Sequence, residues 1–73
     1  MEKINITTER IKLDQFLQLA GVTISGGETK ILLAQKLIKT NGQLESARRR
    51  QLKDGDIVEV IGEGKWQVLA AKN

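Results

Sequence analysis

The most restrictive feature of this sequence is an absence: its 73 residues include no cysteine and no histidine. A domain this small usually relies on a disulfide, a metal or a partner to supplement a thin core. Here disulfides are excluded, and most zinc, copper and iron sites are disfavoured because those ions prefer thiolate and imidazole ligands. Cysteine nucleophiles and histidine bases are removed with them. The chain must hold itself together by packing one apolar core, and a single domain over residues 1–73 is expected. No cofactor, metal or small-molecule substrate is expected.

No apolar run approaches the roughly 20 residues that span a bilayer, and Met1-Glu2-Lys3-Ile4-Asn5 lacks the apolar centre of a signal peptide. A cytoplasmic location without membrane contact is therefore expected. No stretch is low in complexity, and hydrophobic residues make up 40% of the chain, enough to fold rather than stay disordered.

The formal charge of +3 is mild, but it is unevenly placed. Residues 30–53 carry Lys30, Lys36, Lys39, Arg48, Arg49, Arg50 and Lys53 against a single acid, Glu45, while the flanks are net acidic. A basic centre between acidic ends suits a polyanionic partner.

The alternation of Ile4 and Ile6 with polar neighbours predicts a short strand at a sheet edge. Leu13, Phe16, Leu17 and Ala20 then fall on one helical face, with Asp14 in the first turn and Gly21 placed as a C-cap. Ser25 followed by Glu28 fits a capping box and predicts a second helix. Its crowded Ile31, Leu32, Leu33 and Ala34 imply burial against both the first helix and a sheet.

Beyond this the pattern turns to strands. Asn41-Gly42 predicts a two-residue hairpin, because both central residues of a type I′ turn need positive φ. Asp54-Gly55 and Gly62-Glu63-Gly64 mark two more turns. Between them lies Ile57-Val58-Glu59-Val60-Ile61, which should pair with Trp66-Gln67-Val68-Leu69 as an antiparallel hairpin. The expected class is α+β: two short helices packed on one side of a small, mostly antiparallel sheet. Its core is expected to draw on Leu13, Phe16, Leu17, Ala20, Leu32, Leu33, Ile38, Leu52, Val58, Val60 and Val68.

The series Lys12-Leu13-Asp14, Phe16-Leu17, Ser25 with Lys30 and Leu32-Leu33, Asn41-Gly42, and Gly55-Asp56-Ile57-Val58-Glu59-Val60 resembles the S4-like RNA-binding domain, also called the alpha-L motif. Residues 11–60 carry the match, and the flanks are similar to stand-alone bacterial members such as the YaaA-like proteins. Each piece alone is common; five in one order at matching spacing are specific. The resemblance implies a module that binds RNA, here without the catalytic domain to which such modules are often appended.

On the same resemblance, the RNA-facing surface falls on Lys12, on Gly26, Gly27 and Lys30, and on the loop containing Arg48, Arg49 and Arg50, with Lys53 beside it. Two positions depart from the family pattern. Gly26 stands where a basic residue commonly follows the capping serine, so a backbone N–H would have to replace that contact. Lys36 stands where a glycine is usual, so it must adopt a positive φ or end the helix differently.

Read on its residues alone, Arg48-Arg49-Arg50 suits phosphate, since guanidinium groups stay charged and bind it in bidentate fashion, although such runs are often only solvated loops. Ser25-Gly26-Gly27 reads equally as an anion site at a helix start or as plain capping. Phe16 and Trp66 are the only aromatics, which favours recognition of RNA shape and backbone over stacking on splayed bases. Turn chemistry accounts for Asp54 and Asp56, and Glu59 is expected to face solvent, leaving no constellation for catalysis.

The expected partner is structured RNA, ribosomal or assembling with ribosomal RNA, bound by a monomer. A DNA-binding or repair accessory is the alternative that phosphate contacts alone do not separate. A protein-interaction module using Ile57, Ile61 and Trp66 is another.

Overall fold

The computed structural model describes residues 1–70. Strands β1 (Glu2–Ile6) and β2 (Arg10–Lys12) lead into helices α1 (Leu13–Leu19) and α2 (Gly26–Ala34). Five strands follow: β3 (Ile38–Thr40), β4 (Gln43–Leu44), β5 (Gln51–Lys53), β6 (Ile57–Val60) and β7 (Gly64–Ala70). The main sheet has the order β1-β7-β6-β3-β4, antiparallel except where β1 runs parallel to β7 at one edge. A separate antiparallel ribbon pairs β2 with β5. The α+β expectation and its mostly antiparallel sheet therefore hold.

Local chemistry explains most of the element boundaries. Ser25 caps α2 by accepting a hydrogen bond from the Glu28 N–H at 3.3 Å. Asn41 and Gly42 take φ of 50° and 85°, joining β3 to β4 through the expected tight turn. The Asn41 side chain does more: its Oδ1 accepts from the Ile57 N–H at 2.9 Å and its Nδ2 donates to Asp56 Oδ1 at 3.2 Å, so the hairpin tip is tied to the start of β6. β6 ends at Val60, one residue earlier than the apolar run suggests, while β7 extends beyond its predicted bounds at both ends.

Both helices end in the same way. In α1 the Gly21 N–H bonds the Gln18 carbonyl and the Val22 N–H bonds that of Leu17; in α2 Lys36 bonds Leu33 and Leu37 bonds Leu32. This paired pattern needs a left-handed residue at its centre. Gly21 supplies it at φ 76°, and Lys36 supplies it at φ 60°. Of the two exits open to Lys36, the chain takes the positive φ.

The buried core comprises Ile6, Leu13, Phe16, Leu17, Leu33, Ile38, Leu52, Val58, Val60 and Val68. Burying each such side chain stabilises by roughly 1.5–3 kcal/mol. Ala20 and Leu32, expected inside, are only half-buried, and Ile6 joins them from the first strand. The expectation for α2 needs correcting. Ile31 and Ala34 are exposed, and the helix buries Leu33, as expected, together with Thr29. Four successive residues at 100° each cannot share one face. Buried Thr29 donates its hydroxyl to that of buried Thr23 at 3.3 Å, which satisfies the polar groups beneath the loop before α2. Phe16 is core as expected, and Trp66 packs half-buried against the core cluster from β7.

Candidate nucleic-acid interface

The basic loop between β4 and β5 is held by main-chain bonds at the start of α1. The Arg50 N–H bonds the Ala47 carbonyl at 3.2 Å, closing a turn around Arg48 and Arg49. The carbonyl of Arg50 accepts from the Leu13 N–H at 2.8 Å and that of Arg48 from the Asp14 N–H at 3.2 Å. These are two of the N–H groups that an α-helix cannot satisfy within its first turn. Lys12, the N-cap of α1, makes no side-chain capping bond. The arginine loop thus caps α1 with its backbone, and its side chains are left for other work.

They do not all point the same way. Arg48 Nε lies 3.9 Å from Asp14 Oδ2, and Arg48 Nη1 lies 3.7 Å from where a Cβ on Gly26 would stand. That Cβ would also approach Asp14 Oδ2 to 3.3 Å. The missing side chain at Gly26 therefore gives Arg48 room to lie across the first turn of α2, where the helix dipole favours anions. Lys30, one turn further along α2 on the same face, is exposed. Arg49 is exposed at the corner of the turn. Arg50 turns away to pair with Glu45.

Lys12 and Lys53 occupy the ribbon. β2 and β5 place Arg10 opposite Lys53 and Lys12 opposite Gln51, all exposed, while Ile11 and Leu52 pair on the inner side. Residues directly opposite in an antiparallel pair share a face. Lys12 and Lys53 therefore share the outer face with Arg10, whose Nη1 reaches Gln51 Oε1 at 3.4 Å. The ribbon is continuous with the loop through Arg50-Gln51 and with α1 through Lys12-Leu13. Gly26, Gly27, Lys30 and Arg48 thus gather at the helix starts, and Lys12 and Lys53 on the adjoining ribbon.

Sequence reasoning passed over two residues here. Arg10 carries the same signal as Lys12, since the alternation Arg10-Ile11-Lys12 sends both outward, but it lies before the basic stretch. Glu45 looked like a lone counter-charge. It is only 6% exposed, and its Oε2 accepts from the N–H groups of Ser46 at 3.1 Å and Ala47 at 3.0 Å. Burial alone would raise its pKa, but the Ala47 N–H, the Thr40 hydroxyl, the Arg50 charge and the Ser46 N–H outweigh burial and hold the carboxyl below its ordinary value. By strict geometry the buried Thr40 hydroxyl has no hydrogen-bond partner among the described residues, so its hold on the carboxylate is the loosest of these.

Elsewhere the acids are structural. Asp56 Oδ2 accepts from the Lys53 N–H at 2.8 Å and closes the turn between β5 and β6, and Asp54 Oδ1 accepts from the Ala70 N–H at 2.9 Å and ties that turn to the end of β7.

Two helix starts bridged by a basic loop, on an α+β frame with this strand order, agree with the resemblance read from the sequence. A family model described as S4 domain matches residues 4–69, and the chain belongs to that family of RNA-binding domains. Over 66 residues it is also 44% identical to a protein of Bacillus subtilis (strain 168) named as the probable ribosome maturation protein RlbA. The alignment covers 90% of this chain and 93% of that relative. Among the described residues, no helix is long and apolar enough to cross a membrane.

Proposed function

We propose that this chain is a non-enzymatic module of the cytoplasm that binds structured RNA as a monomer, and that its RNA is ribosomal or joins the ribosome during assembly. The observation that carries this reading is the capping of the arginine loop onto α1 with Arg48 laid over the start of α2. Several cations and the first N–H groups of a helix are thereby offered together to phosphate. Family membership and the name of the Bacillus subtilis relative support an RNA connected with the ribosome. The phosphate-binding set comprises Lys12, Lys30, Arg48, Arg49 and Lys53 with the backbone of Gly26 and Gly27, and Arg50 stands at its margin.

The test is a titration of a duplex-containing RNA hairpin at several salt concentrations, with the matching DNA hairpin as competitor. Affinity should fall steeply with salt, each neutralised phosphate adding a little under one unit to the log–log slope. Arg48→Glu with Arg49→Glu should bind at least tenfold more weakly while remaining folded. Arg50 is left in place because reversing it would set a second carboxylate against buried Glu45. A double variant that binds as tightly as the parent sinks the assignment, and a DNA hairpin that competes equally sinks the preference for RNA.

A further inference from the structure

Glu45 lies where β4 gives way to the arginine loop, and one carboxylate fixes that loop at both ends. Oε2 holds the N–H groups of Ser46 and Ala47 at its start, and Oε1 holds the guanidinium of Arg50 at its finish. The Arg50 N–H to Ala47 carbonyl bond closes the same ring through the backbone. Among the described residues Arg49 makes no ion pair, Arg48 lies 3.9 Å from Asp14 over the start of α2, and Arg50 is committed to Glu45.

We infer that Glu45 is a positioning residue for RNA binding, and that Arg50 serves as its internal counterion rather than as a phosphate ligand. This deepens the reading above and rests on it. Three consecutive arginines repel one another and, unrestrained, would sample many loop shapes. An anion buried beneath them offsets the repulsion and selects one shape before RNA arrives, so that little ordering remains to be done on binding. The Arg50 side chain is about half exposed, yet moving its guanidinium to a phosphate would leave the Glu45 carboxylate buried without its cation. The arrangement therefore holds Arg50 in place and leaves Arg49, with Arg48 laid over the start of α2, to the ligand.

A positioning residue and a phosphate ligand leave different marks on binding. Losing a ligand lowers the salt slope, because fewer counterions are released. Losing a positioning contact lowers affinity at every salt and leaves the slope alone. The experiment is the RNA hairpin titration over a salt series with the parent, Glu45→Gln, Arg50→Gln, the double variant and Arg49→Gln. Glu45→Gln and Arg50→Gln are each expected to weaken binding about tenfold with the slope unchanged, as for a loop that must be ordered on binding. The double variant should be no weaker than either single variant, since both break one interaction. Arg49→Gln should lower the slope by a little under one unit.

The inference is overturned if Arg50→Gln lowers the slope as Arg49→Gln does, if Glu45→Gln binds like the parent, or if the two losses add. Should Glu45→Gln fail to fold, the slope of Arg50→Gln decides alone. If Arg49→Gln matches the parent in both affinity and slope, the interface itself fails and the inference with it. Failure of Glu45→Gln or Arg50→Gln while Arg49→Gln behaves as expected removes only the positioning role.

Discussion

Lys36 is the residue at which this fold carries visible backbone strain. A lysine at φ 60° occupies the position that Gly21 fills at the end of α1, with the same pair of closing hydrogen bonds. A side chain with a Cβ is disfavoured there by roughly 1–2 kcal/mol. A glycine gives back part of that gain, because it loses more freedom on folding. Lys36→Gly should therefore stabilise the domain by about 0.5–1 kcal/mol. Urea unfolding would show it as a higher midpoint with an unchanged slope, and a lower midpoint would mean that the lysine side chain is needed where it stands. The dilemma at Lys36 was legible because the choice is set by local geometry. Glu45 was not legible for the opposite reason. A glutamate inside a basic run reads as solvated, and its burial follows from where the loop and the β3–β4 hairpin bring Ser46, Ala47 and Arg50.

At the level of elements, what could be read was whatever depends on neighbours in sequence. The Ser25 cap, the Asn41-Gly42 turn and the β6–β7 hairpin are each short-range, and each is present. The alternation of Ile4 and Ile6 likewise marked a strand at an edge. Its partner was out of reach, because the parallel register pairs Ile6 with Ala70 across the whole length of the domain. The small ribbon escaped notice too, since three-residue strands such as Arg10–Lys12 leave almost no periodic signal. Through its pairing β1 contributes Ile6, 4% exposed, to the core. Ile6→Ala should cost about 2–4 kcal/mol, most of the transfer and cavity loss of a buried isoleucine. In a domain of ordinary marginal stability that is a large share of the whole. A loss below about 1 kcal/mol in urea unfolding would mean that the edge strand is loosely held.

For the whole molecule, Glu45 contributes to the acid side of the stability curve. The carboxyl of Glu45 sits below its ordinary pKa in the folded state. A group depressed in this way contributes stability that is complete above its unfolded pKa and is lost as pH falls through its folded value. The melting temperature of the parent should hold near neutrality and drop on acidification through and below the ordinary carboxylate range. Glu45→Gln should start lower at neutral pH and fall less steeply. Parallel acid limbs in the two proteins would show that Glu45 does not set this dependence.

The pairing of β1 with β7 has a consequence for how the chain is made. Residues 2–6 are made well before the strand they lie against, which extends to residue 70. The first strand cannot complete this pairing until residues 66–70 have been made. Long-range pairing of this kind slows folding. The exposed Glu2, Lys3 and Asn5 on that strand keep its waiting edge charged and polar, which discourages it from finding another chain first.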